Sequence, residues 1–137
     1  MSGFFALKPF HRPRSWLALW GLAVALVIVL SLVNLSGLPP VPEGGDKVEH
    51  FLAYALLSAS AVQLFARRRA SLLIALALVV LGIGLEFAQG ALTTTRMADP
   101  RDAVANTLGV LAGSATMLTP LRRLLMALDA RLRPAHA

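Results

Sequence analysis

The chain has 137 residues, of which 57% are hydrophobic and 15% charged, with a formal net charge of +6 and a mean hydropathy of +0.70. A soluble domain averages about 45–50% apolar and about 25% charged residues, so an ordinary soluble core is excluded in favour of an integral membrane protein. The absence of cysteine excludes disulfides, thiolate metal sites and cysteine nucleophiles.

A strongly basic chain can be a nucleic-acid binder, but here the basic residues sit at the ends of apolar runs. That placement makes the bilayer and its anionic lipids the expected partners, with no nucleic acid. Residues 1–15 hold Lys8, His11, Arg12 and Arg14, and Pro9 and Pro13 discourage a helix there. Trp16 to Leu35 contains no charge and is long enough to span a bilayer, with Trp16 and Trp20 placed for its interface. A secretory signal peptide is the rival reading; the run is long for one, and no small-residue cleavage site follows. Ser36-Gly37-Leu38-Pro39-Pro40 ends this span.

A second span is expected over 48–66, ending at Arg67-Arg68-Arg69, and a third over 70–89. Asp99-Pro100 reads as an N-cap with proline at the first helical position, so a fourth span runs over 100–118. Thr119-Pro120 repeats the signal and opens a helix over about 120–133. There Leu121, Leu124, Leu125, Leu128 and Leu132 share one side against Arg122, Asp129 and Arg133, the pattern of an amphipathic helix lying in the interface. The fold class is therefore all-α, a single domain with four transmembrane helices plus this surface helix.

Lys and Arg in short loops set orientation. Lys8, Arg12, Arg14, Arg67 to Arg69, Arg122, Arg123, Arg131 and Arg133 fall on one side, and only Lys47, Arg96 and Arg101 on the other. Both termini are thus expected in the cytoplasm.

Polar residues in three spans fall on helical faces. Lys47, His50, Tyr54 and Ser58 form one. Gly82, Glu86 and Gln89 form another. Asp99, Asp102, Asn106, Gly109 and Gly113 form the third. Such faces avoid lipid and turn toward each other, at the outer end of the bundle. Each member has a simpler role open to it. Asp99 is a cap, Asp102 complements the helix dipole, Arg96 and Arg101 partner acids or lipid phosphates, Lys47 snorkels, and Asn106 bonds between helices. Gly82, Gly84, Gly109 and Gly113 allow close helix packing. Glu86 is hardest to explain this way, because it lies about one turn inside its span with no basic residue in its own helix.

The motifs Asp46-Lys47-x-x-His50-x-x-x-Tyr54, Glu86-x-x-Gln89 and Arg96-x-x-Asp99-x-x-Asp102-x-x-x-Asn106-x-x-Gly109-x-x-x-Gly113 resemble the VanZ-like family of bacterial membrane proteins. The resemblance covers roughly residues 40–115. It implies a small polytopic protein of the inner (cytoplasmic) membrane and a link to tolerance of the glycopeptide teicoplanin. It carries over no catalytic roles.

Three functions compete. The first is a binding protein that takes an envelope lipid or glycopeptide-like ligand in an outward polar pocket, with Lys47, Arg96 and Arg101 for phosphates or carboxylates. The second is an intramembrane hydrolase or transferase with His50 as general base; no Gly-x-Ser-x-Gly motif is present. The third is a proton path, disfavoured by the apolar inner halves of the spans. A metal on His50, Glu86 and Asp102 is conceivable. With one histidine in the cluster and no His-x-x-x-His pair, neither a metal nor a cofactor is expected. Sequence leaves catalysis and oligomeric state open.

Overall fold

The computed structural model describes residues 3–33, 44–92 and 98–132. Among these residues five α-helices follow one another: α1 (Pro13–Leu32), α2 (Gly45–Leu64), α3 (Arg68–Leu92), α4 (Pro100–Ala115) and α5 (Leu124–Arg131), the last two joined by short 3₁₀ turns at Thr116–Leu118 and Pro120–Arg123. The fold is all-helical. Helix starts follow local chemistry. Pro13 does not block α1 but occupies its first turn, where a missing N–H costs nothing. Gly44 precedes α2 with φ of 78°, a conformation glycine adopts without strain. Asp99 caps α4 by accepting from Arg101 N at 2.9 Å, with Pro100 next.

Helices α1 and α3 are each long and apolar enough to cross a membrane. The pair Pro100–Leu118 and Pro120–Arg131, bent by 79°, makes up to three such segments. Helix α2 has the length, 20 residues, but opens with Asp46, Lys47, Glu49 and His50. Exposed leucines, valines and Phe87 coat the outside, among them Leu22 and Leu26 on α1, Leu56 on α2, Val80 on α3 and Leu111 on α4. This apolar coat suggests a membrane protein.

Contacts at the two ends fix an up-and-down order. At the basic end, the N-terminal segment lies across the α2–α3 turn: Lys8 N donates to Leu64 O and Ala66 N to Ala6 O, both at 2.9 Å. The Lys8 ammonium donates to the carbonyls of Val62 (2.9 Å) and Arg122 (2.6 Å). Burial, then Arg122 and Arg123, push its pKa below the usual lysine range. At the opposite end, Gln89 Nε2 donates to Ser31 O at 2.8 Å, joining α3 to α1. The Trp20 indole N–H donates to Leu57 O at 3.0 Å, tying α1 to α2. Helix α1 has no buried residue and is held at the edge by such contacts.

Helices α2 and α4 pack most closely. A side chain at Gly109 would meet Phe51 O, and one at Gly113 would meet Ala55 O and, at 2.8 Å, Ala59 N. Gly113 and Gly109 thus allow backbone to touch backbone. Ser58 Oγ locks the same seam, donating to Val110 O at 2.9 Å and meeting Ser114 Oγ at 2.9 Å. Gly84, by contrast, faces open space and is no packing glycine.

Leu124 and Leu128 of α5 and the flanking Leu121 and Leu132 are exposed, whereas Leu125, placed on the same face by sequence, is half-buried against the cluster around Phe10 and Leu64. Asp129, assigned by sequence to the polar face, is instead 3% exposed. Its carboxylate accepts from Trp16 Nε1 (2.7 Å) and His11 N (2.6 Å) and lies 3.0 Å from His11 Nδ1. The Trp16 hydrogen bond, then those from His11, hold its pKa at about 2. An unfolded aspartate titrates near 3.9. The depressed value therefore gives stability that is complete above about pH 4 and lost as pH falls toward about 2. Asp129→Ala is expected to release α5 and residues 3–12 at neutral pH, with tryptic cleavage at Arg122, Arg123 and Arg131 several-fold faster. Wild type should show the same release only on acidification, followed by hydrogen exchange.

Candidate functional site

The faces of α2, α3 and α4 converge at the end of the bundle opposite Lys8. Lys47, in the first turn of α2, holds three carboxylates: its Nζ lies 2.9 Å from Asp46 Oδ2, 3.1 Å from Asp99 Oδ2 and 3.2 Å from Asp102 Oδ1. The Asp102 approach is an ion pair off the hydrogen-bond direction, so this oxygen lacks a directed hydrogen bond. Asp99 is pulled below the usual carboxylate range first by the Arg101 backbone N–H and then by Lys47.

One turn along α2, His50 Nδ1 lies 3.0 Å from Asn106 Oδ1, and His50 Nε2 faces Asp102 Oδ2 at 3.6 Å. Glu86 enters from α3, 6% exposed, and its Oε2 accepts from Asp99 N at 3.3 Å. Tyr54 is buried another turn down. Its ring and Asn106 both crowd Gly82, where a Cβ would meet Asn106 Nδ2 at 3.1 Å and Tyr54 Cε1 at 3.2 Å. Gly82 is therefore the gap through which the α2 and α4 side chains reach α3.

The structure thus brings Lys47, His50, Tyr54, Gly82, Glu86, Asp99, Asp102 and Asn106 together. Gln89 reaches Ser31 on α1. Arg96 lies outside the described residues. Asp46 belongs to the cluster as well. Sequence analysis left it out of the site, although its position beside Lys47 in the first motif was a usable signal.

The electrostatics differ from the sequence expectation. Lys47 was expected to receive a phosphate or carboxylate from a ligand, but Asp46, Asp99 and Asp102 already surround it. Within the described cluster three carboxylates surround this ammonium and Glu86 lies against Asp99 N beside them, so these residues offer acceptors around a paired cation. They suit hydroxyl, amide and amine donors, or a cation.

No family model matches the chain, and neither a curated protein nor a solved structure is detectably similar to it.

Proposed function

We propose that this chain is a four-span, VanZ-like protein of the bacterial cytoplasmic membrane that binds an envelope lipid or glycopeptide-like ligand in an outward-facing polar recess. The observation that carries the reading is the convergence of buried Glu86, Asp102 and Asn106 at one end of a bundle otherwise coated with aliphatic side chains. Polar groups are costly inside a membrane unless they meet one another, water or a ligand. The basic end, with Lys8, Arg12, Arg14, Arg67 to Arg69, Arg122 and Arg123, is assigned to the cytoplasm by the positive-inside rule, which leaves the acidic recess outside. Helix α2 serves as the fourth span because Lys47 and His50 turn toward α4 rather than lipid. With Lys47 neutralised, recognition is assigned to the hydroxyls and amides of a lipid-linked saccharide or peptide.

The second reading, an intramembrane hydrolase or transferase, draws on His50, which has Asn106 on one nitrogen and Asp102 near the other, as a general base is usually oriented.

A deletion strain tests the binding reading. Re-expressed wild type should restore the parental teicoplanin susceptibility and envelope-lipid profile. Glu86→Ala should not, at equal abundance in the membrane. Equal restoration by both would refute a role for the recess.

A further inference from the structure

His50, Glu86 and Asp102 come from three different helices. Each offers one donor atom, and the three atoms lie within 4.8 Å of one another. In the amide orientation present, Asn106 Oδ1 only accepts, so the His50 Nδ1 beside it carries the ring proton. In the neutral ring Nε2 then holds a lone pair, and it faces the Asp102 carboxylate at 3.6 Å. Two acceptors held opposite each other bind a positive centre, a proton or a metal ion.

Tyr54 makes the second, independent observation. The residue is 2% exposed and its hydroxyl has no hydrogen-bond partner among the described residues. It lies close enough to Glu86 for the carboxylate to act on it electrostatically. A buried hydroxyl left unpaired is destabilising. Water carried by a cation held at Glu86 would offer it a partner.

We propose that His50, Glu86 and Asp102 bind a divalent transition-metal ion, zinc or manganese. One imidazole with two carboxylates suits these ions, whereas calcium and magnesium favour oxygen alone. Zinc bonds of about 2.0–2.2 Å set neighbouring ligands about 3.3–3.6 Å apart, and the His50–Asp102 pair stands at 3.6 Å. Glu86 completes the set by rotating inward, and its 3.3 Å bond from Asp99 N is long enough to yield. Asn106 holds the far nitrogen of His50, as a carbonyl behind a ligating histidine does. Lys47 opposes a cation, but Asp46 and Asp99 offset its charge. Three protein ligands leave a position open for water or substrate. The site goes beyond the ligand reading and stands without it. Sequence analysis named these three residues but expected no metal, because the cluster holds one histidine and no His-x-x-x-His pair.

The test uses the full chain, purified in detergent on a histidine-free tag and stripped with a chelator. Wild type is expected to take up about one equivalent of zinc, and cobalt in its place should give the visible absorption bands of a four-coordinate nitrogen and oxygen site. His50→Ala and Glu86→Gln should each bind at least about tenfold more weakly, and Asn106→Ala about ten- to a hundredfold more weakly. A His11→Ala/His136→Ala double variant should bind as wild type does. Circular dichroism accompanies each variant. If His50→Ala does not fold, the wild-type cobalt spectrum decides alone. Wild type that binds no zinc and gives no cobalt bands overturns the proposal, as does zinc kept by folded His50→Ala and lost from the double variant.

Discussion

Gly113→Leu is expected to destabilise the folded bundle strongly, whereas Gly84→Ala leaves it intact. At Gly113 the first added carbon meets Ala55 O, Ala59 N and Ser58 Cβ. Two of the three are backbone atoms, which no rotamer change can move aside. The helices must separate, and separation also breaks the Ser58 bonds to Val110 O and Ser114. Overpacking a close-packed interior costs about 1–3 kcal/mol; a leucine driven against backbone, with two hydrogen bonds lost, belongs at or above the upper end. Folded domains are stable by only about 5–15 kcal/mol. The expected result is a fall of that size in stability, read by thermal unfolding in detergent and by loss of monodisperse protein. Gly84 has nothing within 4 Å of an added Cβ, so Gly84→Ala controls for any effect of losing a helical glycine. Equal stability of the two variants would show that α2 and α4 do not approach as closely as described.

Charge-free length and helical periodicity made α1, α3 and the faces of α2 and α4 legible, because both are properties of single segments. Proline and aspartate at Asp99-Pro100 marked the start of α4 for the same local reason. Contacts between segments were less visible. Trp16 and Trp20 have the composition of interfacial anchors, yet their indole N–H groups end on Asp129 and Leu57 O. An indole near a helix end has the same sequence signature in either place. Asp129 repeats at helical spacing with Arg122 and so was assigned to the solvent side. Only the approach of His11 and of Trp16 on α1 brings it donors. A lone acid in a stretch with Arg122, Arg123, Arg131 and Arg133 was the available hint.

The recess shows the same division. Spacing indicated which side chains share a face, and therefore that Lys47, His50, Glu86 and Asp102 point inward. It did not indicate the order in which they pair. Lys47 carried the expectation of an anion site because it is a basic residue beside the cluster. In three dimensions Asp46, Asp99 and Asp102 surround it. The sign of the pocket thus depended on the α3–α4 connection, where Asp99 swings to Lys47 and its backbone N–H to Glu86.

Asp102→Asn should separate the fold from the function most cleanly. Asp102 is the node of the recess, with Lys47 at 3.2 Å on one oxygen and His50 at 3.6 Å on the other. Its backbone N–H is tied to Asp99 O at 2.9 Å, a bond the substitution leaves alone. An asparagine can turn its carbonyl to Lys47 and its NH₂ to the lone pair of His50 Nε2, so both neighbours stay satisfied. Membrane abundance and thermal stability should therefore remain close to wild type. The recess, however, gains a proton donor where it had an acceptor, and loses one negative charge. Hydrogen bonds to a charged group contribute about 1.5–3 kcal/mol, which converts to about a ten- to hundredfold loss of ligand affinity. In the deletion strain this variant should fail to restore teicoplanin susceptibility and the envelope-lipid profile while reaching wild-type abundance. Restoration at normal levels would mean that Asp102 only pairs with Lys47 to hold α2 against α4.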